Sequence, residues 1–148
     1  MESTKQPNYT VPVWNCDGSG AICGWNIRYV EAQEFINKIL ENRRRIILLN
    51  ALVAPRETPM FMLYQQIPNN IAIEILKRVE EIESYIGHES TVNILKQLSG
   101  REIPYNRGLY QPKKDDIAII VRLARARPQG DVKDISPNDL EFGILWYL

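Results

Sequence analysis

The stretch that decides the fold is IILLNALV, at residues 46–53. It is apolar apart from Asn50, and it is rich in isoleucine, leucine and valine. A short continuous apolar run of this kind is typical of a strand that is buried on both faces of a sheet. A second such run, IAIIVRL, follows at residues 117–123. The two runs predict a covered sheet, in which a buried Asn50 would need hydrogen-bond partners.

Further elements are predicted on either side of these two runs. Apolar residues recur at helical spacing in three segments, which predict three helices. The first begins near Ala32, the second has Asn69 or Asn70 as its N-cap, and the third begins after His88. Gly100 is the expected end of the third helix. Shorter strands are predicted at residues 11–14, 21–27, 60–67 and 142–148. The elements interleave without strict alternation, so we expect an α/β or α+β fold: a mixed sheet of about five strands with helices mainly on one face, plus an N-terminal β-hairpin and helix.

Composition limits the possible functions. The chain has 148 residues, is 45% hydrophobic, and has 18 basic and 18 acidic residues, so its formal net charge is zero. A chain of this length can bury one core, but it has no overall field that would attract long nucleic acids. No apolar run approaches the about 18 residues that span a bilayer, and the N-terminus lacks the pattern of a signal peptide. We therefore expect a cytoplasmic protein that binds neither membranes nor long nucleic acids.

The cysteines do not predict a metal site. Cys16 and Cys23 have no second pair, and the chain has one histidine, so the ligands of a zinc site are missing. The ordinary interpretation is two structural thiols. The alternative is a disulfide across the hairpin, should the source be a hyperthermophile, in which intracellular disulfides occur.

The segment GHEST, at residues 87–91, is the strongest candidate for chemistry. A glycine followed by the opening residues of a helix presents backbone N–H groups, and the hydroxyls of Ser90 and Thr91 add donors, so this segment can seat a phosphate. In the alternative, Ser90 or Thr91 merely caps the helix and His88 packs under a loop.

Several arginines are candidate phosphate ligands. Arg107 lies on an extended segment, and Arg122, Arg125 and Arg127 lie at or beyond the end of the second apolar run. Their guanidinium groups could converge on the helix N-terminus, where each guanidinium can bind two phosphate oxygens at once. In the alternative, each arginine is a solvated residue at a strand end.

Four motifs together resemble a known family. They are LLNA at residues 48–51, IGHEST at 86–91, PYNR at 104–107 and RL at 122–123. In order and spacing they resemble the viral anti-CRISPR ring nucleases of type III immunity and their cellular relatives, and the histidine block is the specific part. The resemblance covers residues 46–148. It implies a ring nuclease domain at residues 46–148. Residues 1–45, which contain the predicted hairpin and amphipathic helix, would form an N-terminal extension packed on that domain.

The resemblance also implies an activity. It implies a homodimer that encloses cyclic tetra-adenylate at its two-fold interface and cleaves it, without metal or cofactor, into linear di-adenylates ending in 2′,3′-cyclic phosphate. His88 would be the catalytic residue, donating a proton to the departing 5′-oxygen when the ribose 2′-hydroxyl attacks the phosphorus. Such an enzyme antagonises or resets type III CRISPR signalling, in the host cytoplasm if it is viral. The residues implied to contact the ligand are Asn50, Ser90, Thr91, Arg107 and Arg122.

The sequence departs from the family pattern beyond Leu123. Ala126 stands where the family has an arginine, and Gln129 replaces a glutamate that supports the site in relatives. Arg125 and Arg127 remain candidate ligand-binding residues, although strand side chains alternate, so both point to the opposite face unless a bulge redirects one. Either change could slow cleavage while leaving binding intact.

Two alternatives to an efficient enzyme follow. The first is a catalytically weak module that binds cyclic oligoadenylate as a messenger sink or sensor domain. The second is a small scaffold or nucleic-acid-binding protein, which the basic run at residues 43–45 favours and the neutral net charge disfavours.

Overall fold

The computed structural model describes residues 9–16, 23–41, 45–124 and 136–148. Within these ranges the chain forms two sheets and three α-helices. The elements are β1 (Tyr9–Cys16), β2 (Cys23–Val30), α1 (Ala32–Leu40), β3 (Arg45–Leu49), β4 (Met62–Ile67), α2 (Asn69–Arg78), β5 (Glu81–Ser84), α3 (Glu89–Ser99), β6 (Ile117–Leu123), a 3₁₀-helix (Pro137–Asp139) and β7 (Leu140–Tyr147).

The main sheet has five strands in the order β4-β7-β6-β3-β5. Strand β3 pairs in parallel with both β5 and β6, whereas β7 is antiparallel to its neighbours β6 and β4. The two apolar runs form the central strands β3 and β6, and the five residues Ile117 to Val121 are all buried. The predicted mixed sheet and fold class are confirmed.

The three helices cover one face of this sheet. Phe35 and Ile39 of α1, Ile75 of α2 and Leu95 of α3 are fully buried, and they pack with alternate residues of the strands, such as Leu48. Because apolar residues recur at helical spacing in each segment, each helix presents one apolar stripe to the sheet. Tyr9 of β1 stacks on Phe35 with ring centroids 4.9 Å apart. The hairpin therefore shares this core, while the division of the chain at residue 45 stays a prediction.

The opposite face of the sheet carries a smaller core with a polar rim. Arg45, the first residue of β3, forms ion pairs with Glu83 and with Asp116, the latter at 3.2 Å between Nη2 and Oδ1. Tyr85 donates to Glu83, with 2.5 Å between the oxygens, and Tyr110 donates to Asp116. Burial alone would raise the pKa of Glu83, but the hydrogen bonds from Tyr85 and Arg45 lower it by more. Arg45 is thus engaged within the fold, which weakens the case for a nucleic-acid-binding basic run; residues 43 and 44 lie outside the described residues.

Tyr147 makes the stability of this face sensitive to alkaline pH. Its hydroxyl donates to the Val53 carbonyl oxygen at 2.6 Å, and burial, together with the charge of Asp116, raises its pKa to about 12. An unfolded tyrosine ionises at about pH 10, so the folded chain favours the neutral hydroxyl. This contribution to stability is complete below the unfolded pKa and is lost as the pH rises through the folded pKa.

We therefore expect the free energy of unfolding in urea to fall between about pH 10 and about pH 12, and to fall less in Tyr147→Phe than in wild type. Tyr29→Phe, which changes an exposed tyrosine of β2, serves as the control and should lose as much stability as wild type. An equal fall in Tyr147→Phe and wild type would contradict the assignment.

The structure corrects two local predictions and adds one strand. Strand β3 ends at Leu49 rather than at residue 53, so Asn50 is exposed at the strand end and not buried. The N-cap of α2 is Pro68, and no asparagine side chain caps that helix. Strand β5 was not predicted, because its four residues Glu81–Ser84 include one apolar side chain and give no strand pattern. Gly100 ends α3 with a positive φ of 69°, as predicted.

The cysteines are bonded to each other. Cys16 and Cys23 lie directly opposite in the antiparallel register of β1 and β2 and form a disulfide, with their Cα atoms 4.1 Å apart. The interpretation as two thiols is therefore wrong, and the alternative of a bridge across the hairpin holds. The reason is the register itself, which places the two end residues of the strands face to face. Trp14 and Trp25 pack edge to face as another cross-strand pair of the hairpin.

Candidate functional site

The candidate site lies at one edge of the main sheet. Strands β3, β5 and β6 are parallel, so their carboxyl ends meet at this edge. Asn50 follows β3 directly, His88 follows β5 after a short connection, and Arg122 is the penultimate residue of β6. In open α/β sheets, ligands commonly bind in the crevice outside the carboxyl ends of parallel strands. The sheet therefore brings together three residues that are far apart in the sequence.

These residues share one pocket. It has a volume of about 420 Å³ and is lined by Asn50, His88, Thr91, Val121, Arg122, Leu123 and Leu140. Four of the lining residues are candidates from the sequence: Asn50, His88, Thr91 and Arg122. An amide, an imidazole, a hydroxyl and a guanidinium group thus surround a space in the size range of small-molecule sites. This combination suits a ligand with both phosphate groups and hydrogen-bonding edges.

His88 stands at the start of α3. It is the N-cap residue, with an extended backbone and an exposed side chain that makes no capping hydrogen bond. Its carbonyl oxygen accepts the first helical hydrogen bond from the Val92 N–H, at 3.1 Å. The N–H groups of the first turn have no acceptor within a helix, and the helix dipole favours an anion beside them. The interpretations in which Ser90 or Thr91 caps this helix, or His88 packs under a loop, are therefore wrong.

Ser90 and Thr91 are positioned differently. Thr91 is buried, with 4% of its surface exposed, yet it lines the pocket. Ser90 is half-buried and is not among the residues that line this pocket. Both lie in the first turn of α3, next to His88. Of the two residues, the structure places Thr91 at the pocket.

Arg107 lies beside the residue that precedes His88. A Cβ atom added to Gly87 would lie 3.1 Å from Arg107 Cγ, so the arginine side chain packs closely over this glycine. Arg107 is exposed and does not line the pocket itself. Arg107 therefore places a positive charge close to the GHEST segment, in addition to the charge of Arg122 at the pocket.

Asn106 holds Arg107 in this position. Its backbone N–H donates to the Ile86 carbonyl oxygen at 3.0 Å, and its side-chain Nδ2 donates to the Ser84 carbonyl oxygen at 3.0 Å. Its Oδ1 accepts from the Gly108 N–H at 2.8 Å. From the sequence, Asn106 is a member of the PYNR motif without a predicted role of its own. The available signal was an asparagine directly before the arginine, because asparagine side chains commonly bond to nearby backbone groups in turns.

Arg122 points to the sheet face opposite the helices. Its Nη2 donates to the Tyr64 hydroxyl at 3.2 Å and lies 3.9 Å from Glu141 Oε1. The Arg122 and Glu141 side chains are 43% and 36% exposed, so water weakens this ion pair and leaves the guanidinium able to bind another anion. Tyr64 was not a candidate from the sequence.

The remaining predictions concern residues outside the described ranges and features other than this pocket. Arg125, Arg127, Ala126 and Gln129 lie outside the described residues, so their roles stay predictions. In the part of the chain that the structure describes, no group of three or more His, Cys, Asp or Glu side chains is placed to hold a metal ion. None of the helices in that part is long and apolar enough to cross a membrane.

A family model described as STIV B116-like matches residues 46–144, which is well over half of the chain and includes every candidate site residue. The chain belongs to the STIV B116-like family. The fold of this B116-like chain is also similar to that of B116 of Sulfolobus turreted icosahedral virus, with a TM-score of 0.54 and 21% sequence identity over 69% of this chain and 98% of the viral protein. At this identity the likeness concerns the fold alone. No curated protein gives a significant match.

Proposed function

We propose that this B116-like chain is a metal-independent ring nuclease. It binds cyclic tetra-adenylate at the two-fold interface of a homodimer and cleaves it into linear di-adenylates that end in 2′,3′-cyclic phosphate. The observation that carries the proposal is the single pocket lined by Asn50, His88, Thr91 and Arg122, at the carboxyl ends of the parallel strands. The family motifs in the sequence name the same residues.

The reaction needs one proton donor and a fixed geometry. The ribose 2′-oxygen attacks the adjacent phosphorus and loses its proton to solvent, and the bond from phosphorus to the 5′-oxygen breaks. His88 donates a proton to the departing 5′-oxygen, which leaves as a hydroxyl group. Two such cuts on opposite sides of the ring release two di-adenylates. General acid catalysis of this kind contributes about 10²- to 10⁴-fold, and positioning the oxygens in line contributes the rest together with charge stabilisation.

Charge stabilisation has four sources near His88. Arg122 supplies a guanidinium group within the pocket, and Thr91 supplies a hydroxyl group. The N–H groups of the first turn of α3 point their dipoles toward the same region. Arg107, beside Gly87, adds a second guanidinium close to the reacting phosphate. Hydrogen-bond donors that are already in position before the reaction stabilise the negative charge that develops in the transition state, because they do not need to reorient.

The symmetry of the ligand fits a dimer. A ring of four identical nucleotides contains a two-fold axis, so two copies of one pocket can make the same contacts to opposite phosphates. The exposed position of His88 leaves its imidazole accessible to a ligand that lies between two protomers. The similarity to a viral protein favours a viral origin, in which case the enzyme would antagonise type III CRISPR signalling in the host cytoplasm.

The sequence keeps a second candidate function open. Ala126 and Gln129 depart from the family pattern, and a slower enzyme with intact binding would act as a messenger sink or sensor. Turnover separates the two candidates, because a sink binds one ring per dimer and stops.

The test is to incubate the protein with a large excess of radiolabelled cyclic tetra-adenylate in EDTA and to follow the products over many equivalents. We expect linear di-adenylate to accumulate beyond one ring per dimer. Tight binding without turnover would favour the sink, and the absence of both would refute the proposal. Activity that is lost in EDTA and restored by a divalent ion would reveal a metal requirement.

A further inference from the structure

Gly143 in strand β7 leaves space that another side chain uses. A Cβ atom at this position would overlap the hydroxyl oxygen and the ring carbons Cε1 and Cζ of Tyr64. Among the described glycines, Gly100 is the one with a positive φ, so the backbone at Gly143 does not itself require glycine. A glycine in the interior of a strand often marks the close approach of another group. Here that group is the Tyr64 ring.

The space lets Tyr64 reach across an intervening strand. Tyr64 lies on β4 and is opposite Leu145 of β7, whereas Arg122 lies on β6 and is opposite Glu141 of β7. Gly143 lies between Leu145 and Glu141 on the same face of β7, because side chains alternate along a strand. The Tyr64 ring therefore leans over Gly143 to reach Arg122, although β4 and β6 are not neighbours in the sheet.

Two contacts connect Tyr64 to Arg122. The Tyr64 hydroxyl accepts a hydrogen bond from Arg122 Nη2 at 3.2 Å, and the Arg122 Cζ atom lies 5.8 Å from the centre of the Tyr64 ring. The second distance is within the range of a cation–π interaction. Glu141 is a weaker neighbour at 3.9 Å. Together these contacts restrict a long side chain that would otherwise sample many rotamers.

We propose that Tyr64 is a positioning residue that holds Arg122 ready for a ligand phosphate, and that Gly143 exists to admit the Tyr64 ring. The inference rests on the proposed function, because it takes Arg122 as a phosphate-binding group. A guanidinium fixed before binding loses less conformational entropy when the ligand arrives. Loss of one such hydrogen bond should weaken binding about 2- to 10-fold.

The first measurement uses the protein without ligand. The NMR signal of the Arg122 Nε–H group reports the chemical environment and the mobility of the guanidinium. The signal is assigned by its absence in Arg122→Ala. We expect the signal to move or broaden in Tyr64→Phe and in Gly143→Ala, and to stay in place in Tyr29→Phe. An unmoved signal in Tyr64→Phe, with the fold intact by circular dichroism, overturns the positioning role whatever the protein binds.

The second measurement is the Kd for cyclic tetra-adenylate, determined in a His88→Ala background so that the ligand is not consumed. We expect Tyr64→Phe to raise this Kd about 2- to 10-fold when Arg122 is present, and to leave it unchanged when Arg122 is alanine. Equal effects in both backgrounds overturn the inference and leave the proposed function intact. A wild-type protein that neither binds nor cleaves the ring refutes the proposed function instead, and the NMR signal still decides whether Tyr64 positions Arg122.

Discussion

Replacing His88 with alanine should slow the cleavage of cyclic tetra-adenylate by about 10²- to 10⁴-fold while leaving its binding nearly unchanged. The imidazole would donate its proton in the transition state, so its loss should lower kcat much more than it changes Kd. His88 is exposed and its side chain does not cap α3, so the substitution creates no cavity and removes no helix cap. The measurements are single-turnover cleavage rates and Kd values for wild type and His88→Ala.

Asn93→Ala offers a matched control for this prediction. Asn93 is also a polar, exposed residue of α3, but it is not among the residues that line the pocket. We expect it to cleave at the wild-type rate. Unchanged turnover in His88→Ala would exclude this residue as the general acid, and a large loss of binding would mean that it acts in the ground state.

Replacing Arg122 with alanine should weaken the binding of cyclic tetra-adenylate by about 10- to 100-fold, the effect expected for losing a hydrogen bond to a charged group. The guanidinium lines the pocket, and its ion pair with Glu141 is too exposed and too long to neutralise it. Arg122→Lys should recover part of the affinity, because it keeps the charge but lacks the planar pair of donors. Titration calorimetry at fixed ionic strength would measure both values.

The control for this charge change is Arg78→Ala. Arg78 lies at the end of α2, is exposed, and has Glu74 as its neighbour at 3.9 Å, so the variant also removes one positive charge. We expect its Kd to equal that of wild type. If both variants weaken binding equally, the effect comes from overall charge, and Arg122 has no direct contact with the ligand.

The two buried central strands were predictable because burial on both faces leaves a plain apolar run in the sequence. Strand β6 matches its predicted range, residues 117–123. Strand β3 ends before its predicted end, because the apolar residues after Asn50 belong to a loop in which Leu52 is half exposed. Strand β5 gave no such signal, since it forms by pairing with β3 and two of its four residues are glutamates. Pairing between distant segments is a property of the fold that local composition does not report.

The candidate site was predictable in part, because some of its residues belong to sequence motifs whereas the contacts that support them depend on the order of the strands. Asn50, His88, Thr91 and Arg122 were named from motifs, and the parallel strand order brings them to one pocket. The contact of Tyr64 with Arg122 was not predictable, because it depends on β4 pairing with β7 and on the space at Gly143. Sequence spacing does not give the order of strands in a sheet. Supporting residues that reach across the sheet are therefore found only when the order is known.

The position of the site at the strand ends bears on how the family can change over evolution. Asn50, His88 and Arg122 have exposed side chains, while the central strands β3 and β6 that lead to this edge are largely buried. Substitutions of exposed residues usually alter stability by less than about 0.5 kcal/mol, whereas core substitutions cost several times more. Descendants of this protein can therefore exchange the exposed groups of the candidate site at little cost to folding. Under the proposed function, such a scaffold could acquire a new ligand, or lose catalysis and keep binding, by single substitutions.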